Sequence, residues 1–345
     1  MQTYDIITIG GGAAGMMAAL FAARSGARVL LLERNEKLGK KIYITGKGRC
    51  NLTNAAEPEE FMQQIIRNPR FMHSALAHLS NQDTMALFES LGVPLKQERG
   101  ARIFPVSDHA SDITRALERE LLRLGVRVQL NARVHSLAIE DDQLKGVLLP
   151  DGKLIPARAV ILATGGLSYA STGSTGDGHQ ICAQLGHPMK ETYPALTAIE
   201  TREPWPRTLM GLTLKNISLS APLGKKKRFH QQGELLFTHF GISGPLVLSL
   251  SSMLPMPADG IEMAIDLKPA LSEQELDARI LRDFSEMPNR QLMSAMDKLT
   301  PHALGVQLLE LLQLSPAQPI HSVSQTQRRA IVSLLKHLPL TVSRL

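Results

Sequence analysis

The chain has 345 residues, enough for roughly two domains of ordinary size. Hydrophobic residues make up 43% and charged residues 20%, a balance that excludes disordered and collagen-like proteins. The cysteines Cys50 and Cys182 lie far apart and form no C-x-x-C motif, which excludes a disulfide scaffold, a zinc ribbon and an iron–sulfur cluster. We therefore expect a folded protein of a reducing compartment, the cytoplasm, with no metal site.

The formal charge of +6 at pH 7 would suit an anionic partner. The positive charge is concentrated in two places, residues 34–49 and the run Lys225–Arg228. Aromatic residues make up only 4%, too few for an obvious surface on which nucleic-acid bases stack. No apolar stretch reaches the roughly 20 residues that cross a bilayer. We expect a small-molecule substrate, neither a nucleic acid nor a membrane, while the oligomeric state stays open.

The amino-terminal segment predicts a strand, a helix and a second strand. Tyr4–Ile9 is a short β-branched run, and Ala13–Ala23 is rich in helix formers. Arg28–Glu33 is then a continuous apolar strand, as found in parallel sheets covered by helices on both faces. The pattern indicates an α/β fold.

Further along the chain, the period of apolar residues changes twice. Helices are predicted at 58–67, 70–79, 82–91 and 112–124, the last with Ser111 as N-cap. Residues 126–163 follow a strand period and predict a β-meander, with strands at 127–130, 133–139, 144–149, 154–156 and 159–163. Prolines mark a domain boundary near residue 190. Beyond it, Ser272 and Glu275 form a capping box that opens a helix, and helices follow at 289–299, 301–314 and 324–337.

Gly10, Gly12 and Gly15 form a G-x-G-x-x-G motif between the first predicted strand and helix. The first glycine permits the turn, the second lets the backbone approach a pyrophosphate, and the third lets the helix and strand pack closely. The motif in this context predicts an adenine-dinucleotide site.

Neighbouring residues complete this predicted site. The N–H groups of Ala13 and Ala14, at the helix N-terminus, would face the phosphates. Glu33, at the end of the second strand, would accept hydrogen bonds from a ribose diol and so disfavour a 2′-phosphate. NAD and FAD share these features, which leaves the choice between them to other segments.

Two later segments favour FAD. Residues 39–54 form a long, basic, glycine-spaced loop, in which Lys41 and Arg49 would neutralise a diphosphate or the charge of a reduced flavin. Thr164, Gly165 and Gly166 directly follow a predicted strand, and doubly wound folds bind ligands at the carboxyl ends of their strands.

With these motifs the chain resembles the BaiN/YhiN-type FAD-dependent flavoproteins, a family with 3-dehydro-bile-acid reductase-like and aminoacetone oxidase-like members. The similarity extends over essentially all 345 residues. Its most specific segments are Gly10–Gly15, Gly46–Asn54, Arg102–Ser107, Ala163–Gly166 and Gly233–Pro245.

The resemblance implies a glutathione-reductase-like, Rossmann-type FAD domain at residues 1–190. It implies an inserted domain at 191–335, β-barrel-like over 191–268 and helical over 270–325, and a stub of the return to the FAD domain at 336–345. Members of the family normally continue past a segment like Pro339–Val342 into a glycine-rich segment that covers part of the flavin. This sequence stops at Leu345, so we expect it to bind FAD weakly.

The resemblance also implies that the backbone of Val134 meets the adenine. Together with the motifs above, the candidate FAD-binding residues are Gly10, Gly12, Ala13, Ala14, Gly15, Glu33, Arg34, Lys40, Lys41, Gly48, Arg49, Cys50, Asn51, Val134, Thr164, Gly165, Gly166 and Asp177. Asp177 would either meet a ribityl hydroxyl or cap a helix beginning near Gly178.

Four residues are candidates for catalysis. Arg49 and Asn51 would hold the flavin or a substrate carbonyl, and Tyr43 and His239 are candidate proton donors. Cys50 lies beside Arg49, which favours a thiolate, but disulfide-reducing flavoenzymes need a second cysteine nearby and none follows.

The expected activity is hydride transfer between flavin N5 and a small organic substrate. Because a second G-x-G-x-x-G is missing from the sequence, NAD(P)H would bind only transiently as the reductant. A flavin-dependent RNA-modifying protein and a non-catalytic flavin-binding remnant are the alternatives.

Overall fold

The computed structural model describes residues 3–345 and divides the chain into two compact units, Met1–Glu191 and Thr192–Leu345. The elements of the first unit, in chain order, are β1 (Tyr4–Ile9), α1 (Ala13–Arg24), β2 (Val29–Leu32), β3 (Thr53–Asn54), α2 (Pro58–Gln63), α3 (His73–His78), α4 (Asn81–Ser90), β4 (Leu95–Glu98), β5 (Arg102–Pro105), α5 (Ala110–Arg123), β6 (Arg127–Gln129), β7 (Ser136–Glu140), β8 (Gln143–Leu148), β9 (Leu154–Leu162) and α6 (Asp177–Gln184).

The main sheet of the first unit has the strand order β6-β2-β1-β9-β8-β7. Strands β6, β2, β1 and β9 run parallel, and the meander β7-β8-β9 is antiparallel. All of β2 is buried, which explains its continuous apolar run. Strand β9 is unbroken, whereas the sequence predicts two strands there, because Leu154–Pro156 pair with β8 and the following residues pair with β1. The predicted α/β class is confirmed.

Helices α1 and α5 pack together beside this sheet. The buried stripe Ile113, Leu117 and Leu121 of α5 joins Met16 and Leu20 of α1 in one apolar cluster. The predicted cap of α5 is wrong: the helix begins at residue 110 after an N-cap residue at 109 whose side chain makes no capping hydrogen bond.

The elements of the second unit are β10 (Ile199–Thr201), α7 (Trp205–Thr208), β11 (Thr213–Pro222), β12 (Arg228–Phe237), β13 (Gly241–Ser243), α8 (Pro245–Met253), β14 (Glu262–Asp266), α9 (Glu273–Glu286), α10 (Leu292–Leu299), α11 (His302–Leu311), α12 (Gln325–Lys336) and β15 (Leu338–Arg344). The strands close into a barrel of order β10-β13-β12-β11-β14-β15. Helix α9 carries the predicted capping box, in which the Ser272 hydroxyl accepts from the Glu275 N–H.

The last strand corrects one prediction. Residues 336–345 are not the start of a return to the first unit, because β15 pairs with β14 and β10 and closes the barrel. Leu338, Leu340 and Val342 are fully buried at alternating positions, as a strand with one face on an apolar core requires. In the sequence, the helices α9–α12 therefore stand between β14 and β15, two strands that are neighbours in the barrel.

Candidate cofactor site

A cavity of about 620 Å³ lies in the first unit, at the carboxyl ends of β1, β2 and β9. This is the edge at which doubly wound sheets bind nucleotides. The predicted residues that line the cavity are Gly10, Gly12, Ala13, Ala14, Glu33, Arg34, Lys40, Lys41, Val134, Thr164, Gly165 and Asp177. Segments far apart in the sequence thus converge on one site.

The three glycines of the motif have different steric surroundings. A Cβ added to Gly15 would lie 1.8 Å from the carbonyl oxygen of Gly10, and one added to Gly10 would lie 2.4 Å from that of Ala163. These two glycines therefore permit close packing of the backbone. A Cβ on Gly12 would meet no atom within 4 Å, and Gly12 lines the cavity. The missing side chain at Gly12 leaves open space where a diphosphate would approach the backbone.

The N-terminus of α1 faces the same cavity. Gly12 is the N-cap residue, and no side chain caps the helix. Ala13 and Ala14, the first two helical residues, are exposed and line the cavity. Because the first N–H groups of a helix lack partners within the helix, this end suits an anion. The cavity thus offers backbone donors of the kind that bind a dinucleotide diphosphate.

The carboxylate of Glu33 is buried, with the residue only 6% exposed. Its Oε2 accepts a hydrogen bond from the N–H of Gly11 at 2.6 Å. Its Oε1 accepts from both the N–H and the side-chain Nδ2 of Asn35, each at 2.7 Å. Asn35 also lines the cavity and is a functional candidate that the sequence motifs do not reveal.

Asp177 joins two arginines at the cavity wall. Its Oδ2 lies 3.1 Å from Arg34 and 3.1 Å from Arg133. Burial by itself would raise the pKa of the Asp177 carboxyl, but the hydrogen bonds from Arg133 and Thr175 and the two arginine charges outweigh it, so the pKa is lowered. Asp177 is the first residue of α6, with Gly176 as N-cap, so it does not cap that helix. Arg133 is a second residue that the sequence motifs miss.

Lys41 connects two loops around the cavity. Its Nζ donates to the Ser168 carbonyl at 2.8 Å and to the Ser174 hydroxyl at 2.7 Å. Both partners are neutral oxygens, so the ammonium charge remains available to an anion. Lys40 differs, because its Nζ lies 2.9 Å from the carboxylate of Glu36.

Other predicted residues do not line the cavity, namely Gly15, Tyr43, Gly48, Arg49, Cys50, Asn51, Gly166 and His239. Arg49 pairs with Glu98 through two hydrogen bonds of 2.9 Å, lies 3.3 Å from Asp108, and stacks 4.1 Å from the ring centroid of Phe104. The Glu98 hydrogen bond raises the pKa of Arg49, which stays charged. A role of Arg49 at the flavin remains a prediction.

Tyr43, Cys50 and His239 lie outside the cavity lining, and their predicted roles stay predictions. The hydroxyl of Tyr43 accepts from Thr114 at 2.9 Å, and the Lys37 ammonium lies 4.5 Å from the centre of the Tyr43 ring. Burial raises the pKa of the Cys50 thiol, although a hydrogen bond with Thr45 opposes this, so the neutral thiol is favoured. His239 is exposed in the second unit, edge-on to Phe240.

Within the part of the chain that the structure describes, no group of three or more His, Cys, Asp or Glu residues is arranged to hold a metal ion. Across the same residues, no helix combines the length and the apolar character that crossing a membrane requires.

Two family models match the chain. Residues 4–247 match the HI0933-like protein Rossmann domain, and residues 193–345 match the HI0933-like protein barrel and H2TH domain. The chain belongs to the HI0933-like family. The predicted family resemblance, the Rossmann-type domain with a barrel, and the assignment as an FAD-dependent oxidoreductase are confirmed.

Curated relatives cover nearly the whole chain. The chain is 32% identical to the 3-dehydro-bile acid delta(4,6)-reductase of Clostridium scindens, over 97% of this chain and 81% of that protein. It is 30% identical to the ribosomal RNA dihydrouridine synthase of Escherichia coli, over 97% and 80% of the two chains. It is also 30% identical to the protein of the same name from Haemophilus influenzae, over 99% and 82%.

Proposed function

We propose that this protein reduces a carbon–carbon double bond conjugated to a carbonyl group in a small organic substrate, with FAD as its cofactor. The observation that carries the proposal is the cavity at the G-x-G-x-x-G motif, where Gly12 leaves open space beside the uncapped N-terminus of α1. The relatives supply the reaction class. A 3-oxo steroid with double bonds at positions 4 and 6 is a conjugated ketone, and a uracil that becomes dihydrouracil loses a double bond conjugated to a carbonyl.

The residues that line the cavity would each hold a different part of FAD. The N–H groups of Ala13 and Ala14 would bind the diphosphate, and the carboxylate of Glu33 would accept from a ribose hydroxyl. Val134 would meet the adenine through its backbone. The ammonium of Lys41 would offset the negative charge of the diphosphate or of the reduced ring.

The bound flavin would supply a hydride from N5 to the carbon β to the substrate carbonyl. The chain has to orient that carbon, and a proton has to reach the α carbon from a side chain or from water. Tyr43 and His239 stay the candidate proton donors, with Arg49 and Asn51 as candidate ligands of the carbonyl. NAD(P)H is the proposed reductant.

The test is anaerobic spectroscopy of the purified chain loaded with FAD. We expect NADH or NADPH to bleach the flavin absorption band, and a 3-oxo-4-ene steroid to restore it while the steroid gains two hydrogens, measured by mass spectrometry. A flavin that stays oxidised with both nucleotides, or a reduced flavin that no conjugated ketone reoxidises, would overturn the proposed reaction.

A uracil base within ribosomal RNA is the second candidate substrate. The observation that favours it is the name shared by the Escherichia coli and Haemophilus influenzae relatives. The bond chemistry is the same, so the two candidates differ in the substrate alone. Ribosomal RNA that gains dihydrouridine, bound with a steep dependence on salt, would assign the enzyme to RNA; reduction of the free enone alone would assign it to small molecules.

A further inference from the structure

We propose that Asn35 is a positioning residue. Its side chain holds the Glu33 carboxylate in place for the adenosine ribose and, through a second hydrogen bond, connects this part of the cavity to the loop at residues 172–173. This inference rests on the proposed function, because it takes an adenine dinucleotide as the ligand of the cavity. It adds a residue outside the glycine motif and its acidic partner.

The Glu33 carboxylate is already held by three donors. An ionised carboxylate has about four acceptor positions. The N–H of Gly11 occupies one position on Oε2, and the N–H and Nδ2 of Asn35 occupy two on Oε1. One acceptor position is left, on Oε2. Asn35 therefore determines which oxygen of Glu33 remains open to a ribose hydroxyl.

The second tie runs from Asn35 to a distant loop. Its Nδ2 also donates to the Thr172 carbonyl at 3.0 Å, across 137 positions of sequence. At Gly173, where φ is +99°, an added Cβ would lie 2.5 Å from Nδ2. The backbone at Gly173 thus lies so close to the Asn35 amide that a side chain at this position would clash with it. Asn35 joins the end of β2 to a loop that lines the cavity.

The chemistry of the site requires an amide. Nδ2 faces two acceptors, Glu33 Oε1 and the Thr172 carbonyl, so both of its hydrogens are used. Oδ1 faces a donor, the Nζ of Lys40 at 3.5 Å. An aspartate would place a carboxylate against two oxygens. An alanine would remove both side-chain hydrogen bonds and leave only the backbone N–H of residue 35 on Glu33.

The experiment measures the Kd of FAD by fluorescence titration of the purified full chain. We expect Asn35→Ala to weaken FAD binding about 10- to 100-fold, as for a lost hydrogen bond to a charged group. The matched control is Gln180→Ala, at an exposed residue of α6 outside the cavity lining, which leaves the Kd unchanged. Thermal unfolding of each variant without FAD reports whether it is folded.

A double-mutant cycle separates positioning from a general structural role. If Asn35 acts through Glu33, adding Asn35→Ala to Glu33→Ala raises the Kd less than twofold further. An equal loss in both backgrounds would overturn the inference, because Asn35 would then act independently of Glu33. Wild-type Kd values in Asn35→Ala would overturn it too. A wild-type chain that takes up no FAD would overturn the proposed function itself.

Asn35→Asp provides a second readout. The charged groups near this position are Glu33, Arg34 and Lys40 of the same segment, together with Asp177, which pairs with Arg34. At low pH the introduced carboxyl group can carry a proton and donate to Glu33, as the amide does. We expect FAD affinity of this variant to recover at least fivefold from pH 8 to pH 5, corrected for the wild type. An unchanged ratio to wild type would contradict the assigned role.

Discussion

The two units of the molecule differ in what their buried residues do. In the first unit, a cavity wall contains the buried carboxylate of Glu33 and glycines whose missing side chains either permit backbone packing or leave open space. In the second unit, a single apolar cluster includes residues of the barrel and of the helices α9–α12. The first unit therefore combines an apolar core with a cavity wall set by close backbone packing and hydrogen bonds, whereas in the second unit the large apolar cluster fills the core.

The sharpest way to break this comparison is a pair of glycine substitutions within one motif. Gly15→Ala places a Cβ 1.8 Å from the Gly10 carbonyl oxygen, so we expect it to destabilise the first unit by about 3 kcal/mol and to abolish FAD binding. The Cβ added in Gly12→Ala meets no atom within 4 Å. We therefore expect a free energy of unfolding within about 0.5 kcal/mol of wild type and a large loss of FAD affinity. Denaturant unfolding and FAD titration measure the two effects. Equal losses of stability would contradict the division of roles.

A core substitution in the second unit gives the opposite pattern. Leu340 of β15 is fully buried in the barrel, so Leu340→Ala should destabilise the second unit by about 2–5 kcal/mol. Because all residues that line the cavity belong to the first unit, the Kd of FAD should stay unchanged in the folded variant. As a control, Thr341→Ala, at a half-buried residue of the same strand, should lower the free energy of unfolding far less. Comparable losses at both positions would show that β15 does not close the core.

The smallest expected effect concerns a buried charge in the first unit. Glu120 of α5 is 5% exposed and accepts from Arg123 at 2.6 and 2.9 Å and from Arg24 of α1 at 2.9 Å. These hydrogen bonds lower the pKa of Glu120 from 4.5 to about 2. Between about pH 2 and pH 4.5, the folded state therefore binds fewer protons at Glu120 than the unfolded state does. The stabilisation by the ionised Glu120 carboxylate is complete above about pH 4.5 and is lost as the pH falls through about 2.

Glu120→Gln should therefore lower the melting temperature at neutral pH by about 2–4 °C. The difference from wild type should shrink as the solution is acidified towards pH 2. Calorimetry or circular dichroism at several pH values measures it. A difference that is constant from pH 7 to pH 3 would mean that the charge of Glu120 contributes nothing to the contact between α1 and α5.

Sequence patterns predict the parts of the structure that depend on local spacing. The βαβ unit, the capping box at Ser272 and the convergence of Gly12 and Glu33 on one cavity all follow from patterns within about 35 residues. The ion pair of Arg133 with Asp177 and the tie of Asn35 to Thr172 are long-range contacts that spacing does not encode.

Two predictions concern residues whose contacts lie on distant segments. The basic loop around Arg49 predicts a role at the flavin, which stays a prediction; in the structure its guanidinium pairs with Glu98, 49 positions away. The barrel strand β15 was assigned to the first unit by family resemblance, although the alternation of Leu338, Leu340 and Val342 is the pattern of a half-buried strand. In both places the decisive partner lies on a distant segment.

The most direct test of the central claim, that the cavity of the first unit binds FAD through its backbone and Glu33, is a titration of the purified chain with FAD, followed by flavin fluorescence and absorption. The account predicts saturable binding by the wild type, a Kd raised about 10- to 100-fold by Glu33→Ala, and one nearly unchanged by Cys50→Ser. Absence of binding in the wild type, or a greater loss in Cys50→Ser than in Glu33→Ala, would contradict it.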